Sequence, residues 1–341
     1  LSTAAPRGSS EQAAINATTH SHPIIRIGPV MLSLPPGSYF SFGSAGRLTL
    51  KRWNFLPRKI LDGVMPSTPT RPDFKNKRLV ILGATGRLGA ILRKQWTTDA
   101  VRWQARTQRD GFHCVDILND PKALSALYAG ADSILCLAGV TKGDPQALQR
   151  NTDLALAAIA AANGTRVFLA SSAAVYGAAG KNLRETDAVT PVSPYGQAKL
   201  AMEQAALATG APVTCLRIGN VAGADAILGG WHSKMVLDTD PDGRTPRRSY
   251  IGPQALARTL AHVLTTDTPP PVLNIAAPGL VEMGALLDAA ALPWRATTPT
   301  RPVIWDVGLN TDALATLAPF APQDSTAAGI VADWHQARDT Q

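Results

Sequence analysis

Residues 195–199 read Tyr-Gly-Gln-Ala-Lys, and Pro194 directly before them suits the first turn of a helix. Tyr195 and Lys199 are four residues apart, so they share one face of that helix. A nearby ammonium favours the phenolate and lowers the pKa of the tyrosine, which can then exchange a proton with a substrate hydroxyl or carbonyl. The alternative interpretation of this spacing is a solvated helix face.

Two hydroxyl side chains, Ser171 and Ser172, follow the apolar run Val-Phe-Leu-Ala at 167–170. In doubly wound sheets, ligands bind at the carboxyl ends of the strands. A serine at such a strand end can hydrogen-bond the reacting oxygen beside the tyrosine. Serines in this position also serve simply as turn formers, which is the alternative here.

A glycine-rich loop, Gly-Ala-Thr-Gly-Arg-Leu-Gly at 83–89, follows the apolar run 78–82. Its glycines permit a tight turn, close approach of the backbone to a pyrophosphate, and close packing of the next helix. The N-terminus of that helix offers free N–H groups and a positive dipole to phosphates. The loop predicts a dinucleotide site, and the alternative is a plain glycine-rich turn. The residues predicted to line the site are Gly83, Thr85, Gly86, Arg87, Leu88 and Gly89.

Short apolar runs that alternate with alanine-rich helical stretches must position these groups. The runs are 78–82, 133–137, 166–170, 213–217 and 272–275, and the helical stretches include 153–162 and 197–208. Strands that alternate with helices imply crossover units. The predicted fold is therefore α/β, a doubly wound parallel sheet of the Rossmann type.

The positive charge of the chain is concentrated near its start. The formal net charge is +8, and residues 1–64 carry most of that excess. This stretch has no sustained helical or strand period, and it allows three interpretations: a targeting peptide, a disordered arm, or upstream sequence from a start assigned too early. The remainder is only slightly basic, so we expect no nucleic-acid partner.

Cysteine and hydropathy patterns exclude several other classes of protein. The 3 cysteines form no disulfide framework and no zinc spacing, which favours a reducing, cytoplasmic compartment. The scattered histidines show no paired ligand spacing, so we expect no metal. No apolar run is long enough to span a membrane, so we expect no membrane partner.

Together these motifs resemble the extended short-chain dehydrogenase/reductase family, the NAD(P)-dependent epimerase/dehydratase group, over about 77–320. The resemblance implies that Ser172, Tyr195 and Lys199 match the catalytic serine, tyrosine and lysine, and that Lys199 also holds the nicotinamide ribose. Further matches implied by it are Asp116 with an adenine-contacting aspartate, Ala138 and Gly139 with the small pair after the fourth strand, and Asn220 with a substrate-contacting asparagine.

The resemblance also implies a domain plan. It places the dinucleotide-binding domain at 77–222 plus 249–278 and a small substrate cap at 223–248 plus 279–320. It further implies a homodimer through a four-helix bundle. The two helices involved are the stretch 153–162 and the helix that follows Tyr195. Both are apolar around more of their circumference than packing on their own sheet requires. Deeper burial beneath the cap is the alternative explanation of that pattern.

Departures from the family pattern bear on the cofactor. NAD-preferring members carry an acid at the end of the second strand, where it pairs with ribose hydroxyls. Here the strand 101–106 ends in Arg106, whose guanidinium suits a 2′-phosphate. We therefore expect NADP or NAD as cofactor, with NADP favoured, although Arg106 can also be simply solvated.

Other departures bear on the substrate. Ala173 and Ala174 replace the Asp-Glu of sugar-nucleotide 4,6-dehydratases, which disfavours that reaction. Arg244, Arg247 and Arg248 suit either a substrate diphosphate or an exposed basic turn. The sequence predicts an NAD(P)-dependent oxidoreductase or epimerase acting on a secondary alcohol or ketone of a small molecule, a nucleotide sugar being the leading candidate. The alternatives are a non-catalytic NAD(P)-sensing protein and an NADPH-dependent carbonyl reductase of non-sugar substrates.

Overall fold

The computed structural model describes residues 74–178 and 180–339, together with the backbone of four short strands within 24–52. The chain divides into two compact units, Leu1–Pro69 and Thr70–Gln341. In the first unit, β1 (Ile24–Ile27) pairs antiparallel with β2 (Val30–Ser33), and β3 (Ser38–Phe42) pairs antiparallel with β4 (Leu48–Arg52). The rest of the predicted extension at 1–64 lies outside the described residues.

The second unit alternates strands with helices along most of its length. Its strands are β5 (Leu79–Leu82), β6 (Val101–Ala105), β7 (His113–Cys114), β8 (Ser133–Cys136), β9 (Arg166–Ser172), β10 (Gly180–Leu183), β11 (Val213–Ile218), β12 (Asn220–Val221), β13 (Val236–Asp238), β14 (Arg247–Arg248), β15 (Tyr250–Ile251), β16 (Val272–Ile275), β17 (Val281–Glu282), β18 (Arg295–Thr297) and β19 (Asp306–Leu309). Its helices are α1 (Arg87–Gln95), α2 (Pro121–Tyr128), α3 (Pro145–Ala161), α4 (Pro194–Ala208), α5 (Pro253–Leu264), α6 (Met283–Ala289), α7 (Asp312–Ala315) and α8 (Ala327–Asp339).

Seven of these strands form one parallel sheet in the order β16-β11-β9-β8-β5-β6-β7. The order reverses between β5 and β8, which are direct neighbours although two strands separate them in the chain. This confirms the predicted doubly wound α/β fold. The crevice at such a reversal, outside the carboxyl ends of the strands, is where open α/β sheets bind ligands.

Both faces of the sheet are covered, which explains why its strands are apolar runs rather than alternating ones. In β5, Leu79 and Ile81 pack with residues of α1 and α5, whereas Val80 and Leu82 pack with residues of α2, α3 and α4. Strand β5 thus contributes alternate side chains to two separate cores. The carboxyl end of β5, which carries the glycine loop, is therefore packed on both faces of the sheet.

A smaller four-stranded sheet, β10-β19-β14-β17, lies within the same unit. It and the pair formed by β13 and β18 join the two segments predicted as the cap, 223–248 and 279–320. Two elements outside those ranges also pack there, because β10 pairs with β19 and α8 contacts α6. The domain boundaries themselves stay a prediction.

Three further features concern the described residues as a whole. None of the described helices is long and apolar enough to cross a lipid bilayer. Cys114, Cys136 and Cys215 are all free thiols, the first exposed and the other two buried. Within the described residues, no three His, Cys, Asp or Glu side chains come together as a metal site would require.

Candidate active site

The glycine loop leaves β5 through a turn that only glycine fits. Gly83 has a φ of +67°, and a Cβ placed on it would lie 2.5 Å from the backbone nitrogen of Ala138. Left-handed backbone is strained for residues with a side chain, and the space is already filled. The turn after β5 and the residue pair Ala138–Gly139 after β8 are therefore in contact at the reversal of the sheet.

The start of α1 is shaped to receive an anion. Gly86 caps the helix without a side-chain acceptor, so the first N–H groups have no capping side chain. A Cβ on Gly89 would lie 2.4 Å from the carbonyl oxygen of Ala84, which is why the helix can pack so tightly on the turn. Thr85 and Arg87 are exposed and Leu88 is half-buried against the core.

Gln104, which the sequence analysis overlooked, anchors this loop. The side chain is buried in β6; its Oε1 accepts from the Gly83 N–H at 2.8 Å, and its Nε2 donates to the Val115 carbonyl at 2.5 Å. Gln104 thus links the glycine loop to the strand end next to Asp116. No pattern in β6 distinguishes Gln104, because Arg102 in the same strand is also polar.

The end of β6 presents a basic side chain to solvent. Arg106 is exposed, and its charge is one of the influences on Asp116. The Asp116 carboxylate accepts hydrogen bonds from the backbone N–H groups of Leu118 and Asn119, at 3.0 and 3.1 Å. The Asn119 side chain and these backbone bonds keep the pKa of Asp116 below its usual value. The Asp116 carboxylate therefore stabilises the turn formed by residues 116–119.

Tyr195 stands at the beginning of α4, as the sequence predicts. Ser193 caps this helix by accepting from the Gly196 N–H at 3.0 Å, and Pro194 occupies the first turn. A Cβ on Gly196 would lie only 2.5 Å from the Ala174 carbonyl oxygen. Glycine at this position allows α4 to approach the short turn that follows Ser172.

Ser172 and Tyr195 are consequently neighbours. The Ser172 Oγ accepts from the Ala174 N–H at 3.2 Å, which leaves its own proton free to donate. Burial raises the pKa of the Tyr195 phenol, while hydrogen bonding with Ser172 and the charge of Arg87 act in the opposite direction. The prediction of a lowered tyrosine pKa is therefore wrong for this structure, because burial outweighs those two effects.

Lys199 is buried beneath the tyrosine rather than directed at it. Only 5% of the residue is exposed, and its Nζ donates to the Ala170 carbonyl at 2.7 Å. The same nitrogen lies 5.9 Å from the centre of the Tyr195 ring. Burial lowers the pKa of Lys199 to about 8. The ammonium is thus costly to hold here and close to losing its proton near neutral pH.

Asn151 on α3 is a second residue that the sequence analysis overlooked. It is buried, and its side chain exchanges hydrogen bonds with the backbone of Val140 at 3.0 and 3.2 Å. A Cβ on Gly139 would lie 2.7 Å from Asn151 Oδ1 and 3.3 Å from Lys199 Nζ. The bare backbone at Gly139 therefore lies between the amide and the ammonium.

Asn220, which is predicted to contact substrate, follows β11 at its carboxyl end, where Ile218 pairs in register with Ser172 of β9. Asn220 is half-buried in β12 and donates its backbone N–H to the Ser249 carbonyl at 3.0 Å. Arg87 Nη1 donates to the Ala224 carbonyl at 2.6 Å, which connects the glycine loop to the first residues of the predicted cap. The crevice therefore has the glycine loop on one side and the cap on the other.

The basic segment 244–248 is fully engaged with the protein itself. Arg244 pairs with Asp240 and Asp242, and Arg247 pairs with Asp306. Arg248 donates to the backbone carbonyls of Arg247, Trp305 and Ile304. Arg244 is therefore part of an exposed turn, as one of the two sequence alternatives predicts, whereas the half-buried Arg247 and Arg248 bind groups at and next to strand β19.

Known proteins share sequence features and a fold with this chain. A profile of the NAD dependent epimerase/dehydratase family matches residues 79–276. The structure is similar to the UDP-Glc/GlcNAc 4-epimerase of Campylobacter jejuni, with 17% identity and a TM-score of 0.62 over 78% of this chain and 100% of that chain. A search of curated proteins found no significant match.

Two further structures carry a nicotinamide cofactor. RMD from Pseudomonas aeruginosa, complexed with NADPH, is 19% identical with a TM-score of 0.57, over 76% of this chain and 99% of that chain. A short-chain dehydrogenase/reductase superfamily protein from Agrobacterium tumefaciens with bound NAD is 18% identical with a TM-score of 0.58, over 76% of this chain and 97% of that chain. At such identities the likeness shows a shared fold.

Proposed function

Because the chain belongs to the NAD-dependent epimerase/dehydratase family and is an enzyme of the extended short-chain dehydrogenase/reductase type, we propose that it interconverts a secondary alcohol and a ketone of a small molecule. Tyr195 exchanges the proton of the reacting oxygen, Ser172 hydrogen-bonds the same oxygen, and Lys199 supplies the positive charge beneath them. The contact between Gly196 and Ala174 carries this proposal, because it brings Tyr195 beside Ser172.

The state of the tyrosine suggests how the proton moves. With its pKa raised by burial, Tyr195 is a phenol at neutral pH and can act as an acid toward a substrate carbonyl. The free proton of Ser172 can donate to the same oxygen. Lys199 lies below the ring and favours the phenolate that remains after proton transfer. In the reverse direction, the phenolate accepts the proton of the alcohol.

The glycine loop fits a dinucleotide cofactor. A Cβ would collide with backbone at Gly83 and at Gly89, and the helix start at Gly86 has no side-chain cap, so bare N–H groups face the crevice. When bound, a nicotinamide dinucleotide accepts and returns the hydride of the reacting carbon. Lys199, next to Gly139 after β8, is the residue we assign to the nicotinamide ribose.

We assign a preference for NADP over NAD to the end of β6. The exposed guanidinium of Arg106 offers a fork of donors to a 2′-phosphate. No acidic side chain stands at the strand tip in 101–106, where NAD-preferring enzymes hold ribose hydroxyls. Of the two acids in the loop beyond, Asp110 is exposed, and Asp116 uses its carboxylate on Leu118 and Asn119.

Nucleotide sugars are the first substrate class to consider, because the similar structures include 4-epimerases of UDP sugars from Campylobacter jejuni and Bacillus cereus. A second class, carbonyl compounds without a diphosphate, is favoured by a different observation. Arg244 and Arg247 are paired with carboxylates, and Arg248 is bonded to backbone carbonyls. Arg247 and Arg248 are thus already bonded within the protein, while Arg244, whose side chain is 61% exposed, keeps its access to solvent.

Turnover assays test the proposal and separate the substrate classes. The protein is incubated with NADPH, NADH or their oxidised forms and a panel of nucleotide sugars and simple ketones. An epimerase interconverts two sugar isomers without net change in cofactor absorbance, whereas a reductase consumes reduced cofactor in proportion to product. Binding of cofactor without conversion of any panel member would contradict the proposed reaction for these substrates.

A further inference from the structure

Glu203 is a buried carboxylate one helical turn beyond Lys199. Only 2% of it is exposed, and it lies on the side of α4 that faces β9 and β11. Its Oε1 accepts a hydrogen bond from the hydroxyl of Ser171, the residue before Ser172. A buried carboxylate needs compensating partners, since burial otherwise disfavours its charge.

Arg217 on β11 is the compensating partner. Its Nη2 lies 2.8 Å from Glu203 Oε2, and its Nε donates to both carboxylate oxygens at 3.1 and 3.2 Å. Burial acts to lower the pKa of Arg217, but the bonds to Glu203 and the charge of Glu203 outweigh it and raise the pKa. Glu203 therefore holds Arg217 as a guanidinium in the interior.

The arginine extends this connection toward the cap. The guanidinium stacks 4.8 Å from the centre of the Tyr176 ring, and the Tyr176 hydroxyl donates to Asn274 Oδ1 at 2.8 Å. Asn274 Nδ2 donates in turn to the carbonyls of Leu183, in β10, and Asn310. Hydrogen bonds, together with the contact between Arg217 and the Tyr176 ring, thus connect the end of β9 through α4 and β11 to the cap strands.

The charge of Glu203 also reaches Lys199. The described groups that act on the ammonium are Cys136 on β8, Cys215 on β11 and Glu203 on its own helix, with the Asn151 amide facing it from α3. Burial raises the pKa of the Cys136 thiol to about 11 and that of Cys215 to about 12. Both thiols keep their protons at physiological pH, so the Glu203 carboxylate, which is paired with the Arg217 guanidinium, is the negative charge that we assign to Lys199.

We propose that Glu203 is a positioning residue of the active site: paired with Arg217, it fixes α4 against the serine-bearing end of β9 and supplies the counter-charge that keeps Lys199 an ammonium. The role given to Lys199 rests on the proposed function. The counter-charge itself is a property of the free protein. It can therefore be measured without any substrate.

The sign of the effect follows from the two charges. Replacing Glu203 by glutamine removes the anion nearest the lysine on the helix and leaves the Arg217 guanidinium without a counter-ion. Both changes disfavour the positive charge of Lys199, which lies in the same interior. The Lys199 ammonium should then lose its proton at a lower pH than in the unmodified protein.

The experiment is an NMR titration of protein labelled with ¹³C at the lysine Cε. A Lys199→Arg variant identifies the Lys199 signal by its disappearance. In Glu203→Gln the proton affinity of Lys199 should fall by about tenfold or more, which is a shift of about one pH unit in its midpoint. Asp99→Asn, which removes an exposed carboxylate, serves as the matched control and should leave the midpoint unchanged. A folded Glu203→Gln protein with the midpoint of the control would overturn the proposal.

A second variant covers the case in which an unpaired Arg217 prevents folding. Glu203→Gln combined with Arg217→Met removes both buried charges, a change that interiors often tolerate. Because Glu203, one helical turn from Lys199, is among the charges that act on the ammonium and Arg217 is not, the Lys199 midpoint should again fall. If neither variant folds, the pair serves folding itself, and a role confined to positioning is rejected.

Turnover measurements separate this inference from the proposed function. With an active substrate, Glu203→Gln should lower kcat and move its alkaline limb to lower pH while KM changes little, and Glu203→Asp should restore part of both. A general loss of stability would not move that limb. If no substrate is turned over and the NMR midpoint still falls, the proposed reaction fails and the counter-charge role of Glu203 stands.

Discussion

The Cβ position of Gly196 lies 2.5 Å from the carbonyl oxygen of Ala174, so the second residue of the Tyr-Gly-Gln-Ala-Lys segment has no room for a side chain. This contact joins the first turn of α4 to the turn after β9. The distance between Tyr195 and Ser172 therefore depends on a glycine that does no chemistry. A methyl group here must push the helix away from the serine.

Gly196→Ala should accordingly impair both stability and turnover. Insertion of a methyl group into a filled contact typically costs about 1–3 kcal/mol, and the displaced helix takes Tyr195 with it. We expect a lower melting temperature and a lower kcat. Gln197→Ala, at the exposed next position, should change neither. A Gly196→Ala enzyme with unchanged kcat would show that the close approach does not position the tyrosine.

Tyr195→Phe should abolish turnover and leave cofactor binding nearly intact, because it removes only the proton-transferring hydroxyl. Loss of general acid–base catalysis typically costs roughly 10²–10⁴-fold in rate. Fluorescence titration with NADPH measures binding, and the conversion assay measures turnover. Tyr128→Phe is the matched control, since that buried hydroxyl has no hydrogen-bond partner among the described atoms. Retention of most activity in Tyr195→Phe would refute the proposed proton transfer.

Arg106→Ser should weaken the binding of NADP(H) and have little effect on NAD(H). A hydrogen bond to a charged group is worth about 1.5–3 kcal/mol, which corresponds to roughly tenfold or more in affinity. Titrations of both cofactors against the unmodified protein and the variant measure the difference. Arg295→Ser, an exposed arginine of β18, controls for the loss of a surface charge. Tenfold tighter NAD(H) binding by the unmodified protein would contradict the preference.

Sequence patterns predicted the sheet well because its strands are buried on both faces. The runs at 133–137 and 272–275 correspond closely to β8 and β16. The helix predicted at 153–162 begins earlier, at Pro145, where Asp144 caps it by accepting from the Ala147 N–H at 2.7 Å. The Asp-Pro signal was present in the sequence. It was missed because the early turns contain several polar residues.

The parts of the site that the sequence did not indicate are those made by long-range contacts. Gln104 and Asn151 act on backbone groups, and Glu203 and Arg217 come from different elements. Other polar residues lie beside Gln104 and Asn151 in their own segments, and periodicity cannot say which partner a polar side chain meets. The state of Tyr195 shows the same limit, because burial by the surrounding fold raises a pKa that spacing alone suggested would fall.

Replacement of the buried lysine should stabilise the protein at neutral pH. The pKa of Lys199 is about 8 in the folded state against 10.5 for an ordinary lysine. Between those values the unfolded chain holds the extra proton, so stability rises with pH across that window. The cost of the buried ammonium is therefore fully present below pH 8. Lys199→Met also loses the hydrogen bond to the Ala170 carbonyl. After that loss, its free energy of unfolding at pH 7 should exceed that of the unmodified protein by about 1–2 kcal/mol.

Melting temperatures from pH 7 to pH 10 measure this effect. The advantage of Lys199→Met over the unmodified protein should shrink as pH rises, because the unmodified protein sheds its proton. Lys122→Met replaces an exposed lysine of α2 and should show no such trend. A Lys199→Met protein whose advantage is absent at pH 7, or grows with pH, would show that the lysine carries no cost of burial.

The final prediction concerns assembly through α3 and α4, which pack side by side. Leu156 on α3 and Leu207 on α4 remain 36% and 39% exposed, so the cap does not cover them as the alternative interpretation required. Alanines such as Ala205 on the same helix allow a second pair of helices to approach closely. We therefore expect a twofold-symmetric dimer in which each pair of helices packs against its copy.

Ala205→Glu should separate this dimer, because it places a charge where the two copies would exclude water. Light scattering at tens of micromolar measures the mass of the unmodified protein and of the variant. Val236→Glu introduces the same charge at a residue that is 46% exposed in β13 of the cap region, and it should stay dimeric. A monomeric unmodified protein would refute the dimer. A dimeric Ala205→Glu variant would place the interface elsewhere on the surface, because the new charge would then meet no second copy.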